Sequence, residues 1–307
     1  MRASLRDAAP PAGRRTRADD PHHPARRRAA DGRGGALRLD RRGTGELKAI
    51  LFALLLLAFP AAAQDARLRN LGAEGGDFRA ELSDGRILRG AALVGAVLHF
   101  DGLDIRVDAA RRDEGIPGAV PASPATDVWL FRLVARPAGG VPDAPWDEVC
   151  EPDPQGERLG MVLPAASGFT LTCSAGGVGK CIRFGYRPWA RLPDGRSLAP
   201  FHAACVNLLR AAYGGGERAF TRDGTSIDIY DRVGIQAPTN DPGQSFEAGW
   251  TPEGAVCLAH PRVPANGDLD TIADLAPRLA GHTGPARCDE DRAAALGALV
   301  FNRSRRE

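Results

Sequence analysis

Val97-Leu98-His99-Phe100-Asp101-Gly102-Leu103-Asp104-Ile105-Arg106-Val107 is two alternating runs joined by an Asp-Gly pair. Alternation with period two gives a strand one buried face, and Asp-Gly supplies the positive-φ residues that a tight turn requires. The stretch predicts a β-hairpin, and its neighbours repeat the pattern. Phe78-Arg79-Ala80-Glu81-Leu82 alternates, Asp84-Gly85 turns, and Ile87-Leu88 follows. Val128-Trp129-Leu130-Phe131-Arg132-Leu133-Val134 is one further strand. Residues 64–140 therefore read as a small all-β part that contains no cysteine. His99 sits among apolar strand residues and reads as a packed or surface histidine.

Arg136-Pro137-Ala138-Gly139-Gly140-Val141-Pro142-Asp143-Ala144-Pro145 is rich in Pro and Gly and reads as a linker or long loop. Beyond it, residues 150–303 mix strands and helices. Phe169–Cys173 and Cys181–Tyr186 read as strands joined by a glycine loop. Phe201, Cys205, Leu208, Leu209 and Ala212 fall at helical spacing, with Gly214-Gly215-Gly216 as the stop. Two hairpins are expected: Thr221 to Tyr230, turning at Asp223-Gly224, and Phe246 to His260, turning at Pro252-Glu253-Gly254. Two short helices close the chain, one capped by Asp268 and broken near Pro277, the other from about Asp289 to Phe301. The fold class is α+β and mainly β: a small all-β part followed by a disulfide-stapled α+β domain.

The six cysteines all lie in the second part, at Cys150, Cys173, Cys181, Cys205, Cys257 and Cys288. An even set downstream of an export signal reads as a disulfide framework. Fifteen connectivities are open. Cys181–Cys205, strand to helix, and Cys257–Cys288 are preferred, which leaves Cys150–Cys173.

The export signal is residues 47–63. Ala49 to Phe59 is an unbroken apolar run, preceded by Lys48 and followed by Pro60-Ala61-Ala62-Ala63-Gln64. A short apolar region before a small-x-small site predicts cleavage after Ala63. A membrane-spanning helix would need about 20 apolar residues, more than this run supplies. Residues 1–46 are either a disordered basic extension or sequence upstream of the true start at Leu47. Arginine usage favours the second: only Lys48 and Lys180 among the 40 basic residues are lysine, the bias of a GC-rich bacterial genome. Residues 1–63 carry a net charge of +7 and the rest −5, for the overall +2. The mature chain is mildly acidic, which excludes a nucleic-acid reading. The expected location is the periplasm or the medium, with no stable membrane insertion after cleavage.

Several segments of the cysteine-rich part resemble the ADYC-domain family of bacterial exported proteins. They are Gly179-Lys180-Cys181-Ile182-Arg183-Phe184-Gly185-Tyr186-Arg187-Pro188-Trp189, His202-Ala203-Ala204-Cys205-Val206 and Arg210-Ala211-Ala212-Tyr213-Gly214-Gly215, then Thr221–Thr225, Ile229-Tyr230-Asp231, Phe246-Glu247-Ala248-Gly249-Trp250 and Gly254–Cys257. The resemblance covers roughly residues 150–300. In the naming motif, Ala212 stands for the family's Asp and Gly214 for its Cys, so any role of those two groups is missing here. The resemblance implies an exported protein and supplies no activity.

Candidate chemistry is sparse. His202 and Cys205 share a helical face and could form a nucleophilic or metal-binding pair, but the disulfide reading of Cys205 takes precedence. A zinc site from His202, His260 and His282 would lack ligand spacing, so no metal is expected. Asp223, Asp228 and Asp231 could bind calcium or act as acid and base; they read instead as a turn residue and solvated carboxylates. Gly176, Gly177 and Gly179 lie between cysteines, not between a strand and a helix, and so do not read as a nucleotide loop. No cofactor fingerprint is present. Phe184 and Tyr186 would share one strand face with Trp189 just past it, either as core or as an aromatic platform for sugars and peptides. The candidate binding residues are Tyr186, Trp189, His202 and Tyr213, for a protein, peptide or glycan partner. The chain is expected to be an exported binding module. The alternative is a periplasmic hydrolase, which would need a pocket gathering His202, Tyr213 and Asp228.

Overall fold

The computed structural model describes residues 66–305, apart from 101, 117–126, 142–143, 217 and 240. The predicted signal segment and everything before it lie outside the described residues. Strands β1 (Leu68–Glu74), β2 (Asp77–Leu82) and β3 (Ile87–Leu88) form an antiparallel sheet in that order. Strands β4 (Val97–Phe100), β5 (Leu103–Arg112), β6 (Trp129–Pro137), β7 (Asp147–Glu148), β8 (Gly160–Pro164) and β9 (Phe169–Cys173) form a second sheet. Its order is β4-β5-β6-β8-β9, with β7 also paired to β6. This sheet takes β4–β6 from one side of the Pro- and Gly-rich join at 136–145 and β7–β9 from the other.

Two helices follow, α1 (Gly177–Arg183) and α2 (Ala199–Arg210). Then come β10 (Ile227–Asp231), β11 (Ser245–Thr251), β12 (Gly254–Leu258), α3 (Leu269–Leu275), α4 (Glu290–Ala295) and β13 (Val300–Ser304). The last four strands make an antiparallel sheet in the order β10-β13-β11-β12.

The expected hairpins at 97–107, 78–88 and 246–258 form as β4–β5, β2–β3 and β11–β12. Asp268 caps α3 by accepting a hydrogen bond from Thr271 N at 2.8 Å. Three expectations need correction. Cys181 to Tyr186 is not a strand: its first half belongs to α1. Cys181 faces the core around α2, while the adjacent Ile182 packs with Leu159 and Met161 in another cluster. A two-turn helix wedged between two cores is apolar on both sides, so it shows no helical period. Thr221 to Tyr230 is not a hairpin, since β10 pairs with β13 instead. The closing helix stops at Ala295, with Gly297 at φ +88°. Val300–Ser304 then runs as a buried strand bonded on both sides, to β10 and to β11.

The core has several parts. Phe78, Val107, Phe131 and Val162 fill one cluster, with Phe78 and Phe131 edge to face at 5.0 Å. The largest cluster lies around α2, where Phe201, Cys205 and Leu208 meet Tyr213, Trp250 and Val300. Another cluster holds Tyr230, Phe301, Ala293 and the Cys257 and Cys288 side chains. The disulfides are Cys150–Cys173, Cys181–Cys205 and Cys257–Cys288, the preferred pairing. Their Cα separations of 5.5, 5.9 and 5.5 Å lie in the usual range. The second staples α1 to α2.

Candidate functional site

Several of the segments that carry the family resemblance meet at a buried polar hub. Helix α2 ends at Ala211, whose φ of 49° turns the chain left-handed without a glycine. That turn drives Tyr213 into the core, where its ring stacks on Trp250 at a centroid distance of 5.3 Å. The Tyr213 hydroxyl donates to Glu247 Oε1 at 3.1 Å and accepts from Arg262 N at 3.1 Å. Arg262 holds Glu247 bidentately, at 3.1 Å from Nε and 3.0 Å from Nη2. Its remaining donors reach Leu208 O, Leu209 O and Thr221 Oγ1. Both charged side chains have 0% exposure. Burial by itself would raise the Glu247 pKa, but the Arg262 charge and hydrogen bonds hold it below the usual carboxylate value. Burial and the Glu247 charge push Tyr213 well above the normal phenol range.

The predicted glycine stop has a different use. Gly215 lies at φ +76°, and a Cβ there would sit 2.1 Å from Glu253 O. It lets the Tyr213 segment close on the β11–β12 turn, where Ala255 N donates to Tyr213 O at 2.9 Å.

Tyr186 and Tyr213 are both fully buried, so neither ring offers a face to a ligand. The strand face expected to join Phe184 and Tyr186 does not form, because α1 occupies that stretch. Tyr186 donates to Asp231 Oδ2 at 2.8 Å, and Asp231 also accepts the N–H groups of Val233, Ile235 and Gln236. Asp228 accepts from Thr239 N. Asp228 and Asp231 are thus buried loop-fixing groups and not the solvated carboxylates expected. Trp189 is half-buried; its Nε1 donates to Asp127 Oδ2 at 2.7 Å, and Arg187 donates to the other oxygen. Burial would raise the Asp127 pKa, but these two hydrogen bonds hold it low.

His202 is half-buried on α2 and donates from Nε2 to Val178 O of α1 at 3.2 Å; burial lowers its pKa. His260 Nε2 lies 3.1 Å from Ser245 Oγ. His99 is on the surface, bonded to Asp104. No group of three metal-ligating side chains occurs among the described residues. His202, Tyr213 and Asp228 each have a separate structural partner, and a filled core surrounds Tyr213.

The concavity lies elsewhere. A cleft of about 430 Å³ is lined by residues 174–177, by Lys180, Arg183 and Phe184 around α1, by the end of α2, and by residues 221–225. Arg262 and Thr221, members of the buried hub, also reach its wall. Ser174 lines it too; it is 1% exposed and its hydroxyl has no hydrogen-bond partner. Lys180 is half-buried beside it. A hollow of about 520 Å³ over β5 and β6 is larger; most of its charged groups form ion pairs, as Arg111–Glu157 and Arg132–Glu148, although Glu148 Oε2 is buried without a partner among the described residues. The cleft, whose wall holds both the unpaired Ser174 hydroxyl and a lysine with no ion pair among the described residues, is the better candidate.

Sequence reasoning missed Ser174, Glu247 and Arg262. A serine directly after a disulfide cysteine has no pattern that announces it, and Arg262 is one arginine among many. The glycines at 176, 177 and 179 were also misplaced: Gly176, after β9, is the N-cap of α1, and Gly177 and Gly179 lie in its first turn.

The family model that matches this chain is that of the ADYC domain, over residues 90–264, more than half of the 307 residues. The match starts earlier than the resemblance read from residues 150–300: it takes in β4 to β6 and stops short of β13. No curated protein and no solved structure matches the chain.

Proposed function

We propose a function for this chain from one premise: it belongs to the ADYC domain family. The protein is an exported, disulfide-stabilised binding module, and it takes a peptide or glycan ligand in the cleft between α1, the end of α2 and residues 221–225. The observation that carries this reading is the cleft itself, which is walled by stapled elements and holds a buried hydroxyl without a partner. Burying a hydroxyl unpaired is unfavourable, and a ligand that bonds it recovers that loss. The three disulfides support export, because such bonds persist in oxidising compartments. The segment at 47–63 supplies the leader. The packing of Tyr213 into a filled core favours the module over the hydrolase.

Export is tested by expressing the whole chain in a Gram-negative host. The expected product is periplasmic, begins at Gln64 and has no alkylatable thiol. Retention in the cytoplasm with free cysteines would contradict it. Binding is tested by thermal shift with fractionated periplasmic peptides and glycans. Ligand raises Tm by mass action, and Thr225→Trp, which fills the cleft, abolishes the shift. A shift of equal size in both proteins would place the ligand elsewhere, and turnover of an active fraction would restore the hydrolase.

A further inference from the structure

We infer that the cleft recognises an oxyanion, a carboxylate or phosphoryl group of its ligand, through Ser174 and Lys180. This rests on the cleft being the ligand site. The Ser174 hydroxyl is buried and unpaired. The Lys180 ammonium makes no hydrogen bond or ion pair with any described residue, while both residues line the same cleft. An ammonium and a hydroxyl together offer donors and positive charge, the complement of an oxyanion.

The covalent frame fixes the backbone that carries both groups. Ser174 directly follows Cys173, which is bonded to Cys150, and Lys180 directly precedes Cys181, which is bonded to Cys205. Ser174 N also donates to Leu159 O at 2.8 Å, and Lys180 N to Gly176 O at 2.9 Å. Backbones held by the scaffold before binding lose little freedom on binding, so the ordering left is that of the Ser174 and Lys180 side chains.

The wall around them is positive on balance. Its cations are Lys180, Arg183, Arg210, Arg222 and Arg262, against Asp153 and Asp223. Arg183 and Arg262 are matched by Asp113 and Glu247 outside the lining. Asp153 turns Oδ1 onto the N–H groups of Gln155 and Glu157. With those pairs counted, the excess is one positive charge, and Lys180 has no carboxylate partner among the described residues.

The test is calorimetric titration of the folded, oxidised protein with sodium phosphate and, separately, sodium acetate at constant ionic strength. Wild type, Lys180→Gln, Lys180→Arg and Ser174→Ala are compared after their Tm values are matched. One saturable site is expected. Lys180→Gln weakens it roughly ten- to hundredfold, the size of a lost charged hydrogen bond. Ser174→Ala weakens it less, and Lys180→Arg retains most of it. Preference for phosphate assigns a phosphoryl ligand, and preference for acetate a carboxylate. Unchanged affinity in Lys180→Gln overturns the inference. So does the absence of anion binding while a peptide or glycan fraction still gives a shift sensitive to Thr225→Trp; in that case the cleft stands and only its chemistry is wrong. If neither anion nor fraction binds, the cleft reading fails as well.

Discussion

Glu247 is an anion with no exposed side-chain atom; Arg262 supplies the charge that balances it, and Tyr213 a further hydrogen bond. A buried charge stripped of its partner is costly, so Glu247→Gln should destabilise the fold by about 3–5 kcal/mol in chemical denaturation. Tyr213→Phe removes one donor to Glu247 and the acceptor of Arg262 N; about 1–3 kcal/mol is expected. The pH dependence has a definite sign. Because the folded pKa of Glu247 is depressed, its contribution is complete above the unfolded value near ~4.3 and is lost as pH falls through the folded value. His202 also has a depressed folded pKa. Its burial as a neutral ring favours folding fully above the unfolded value near ~6.5, and that contribution declines as pH falls through the folded value. His202→Gln should therefore flatten the Tm-versus-pH curve just below pH ~6.5 and leave the steeper acid limb of Glu247 intact. A wild-type slope there would show that His202 is not the titrating group.

At the scale of elements, the β2–β3 and β4–β5 hairpins were legible because each carried alternation and an Asp-Gly turn, and β11–β12 because apolar runs flank Pro252-Glu253-Gly254. The pairing of β10 with β13 was not, because nothing in Ile227–Asp231 encodes a partner some seventy residues away. Helix α1 was hidden for another reason. Most short helices draw their stability from packing, and α1 packs on both sides. The Cys181–Cys205 staple was a preference among fifteen open connectivities; the structure shows it, and it gives α1 its fixed place. Cys205→Ala should cost about 2–4 kcal/mol and also weaken ligand binding, since Lys180 rides on α1. Loss of stability with binding intact would separate the staple from the site. Gly215 belongs to this scale too. Gly215→Ala meets both the positive φ and the approach of Glu253 O, and a penalty of about 1–3 kcal/mol is expected in equilibrium unfolding.

For the whole molecule, the resembling segments serve two places: several of their large aromatics are buried, while Lys180, Arg183, Phe184, Arg210 and residues 221–225 line the cleft. Tyr186, Tyr213, Glu247 and Trp250 belong to resembling segments and lie inside. A sequence can show that an aromatic recurs in a motif, but not whether its ring faces water, and so Tyr186 and Tyr213 looked like binding residues. The cleft is assembled from separated stretches of the chain, and only the folded chain brings Ser174, Lys180 and Thr225 to one wall. The buried hub joins the two roles: Arg262 neutralises Glu247 on one side and reaches the cleft wall on the other. The central claim is that ligand meets this cleft while the resembling aromatics serve as scaffold. Amide NMR of the isotopically labelled protein titrated with phosphate tests it most directly. The account predicts saturable shifts at residues 174–180 and 221–225, with the Trp189 indole N–H unmoved on Asp127. Shifts centred on Trp189 and Asp127, with the cleft amides silent, would contradict it.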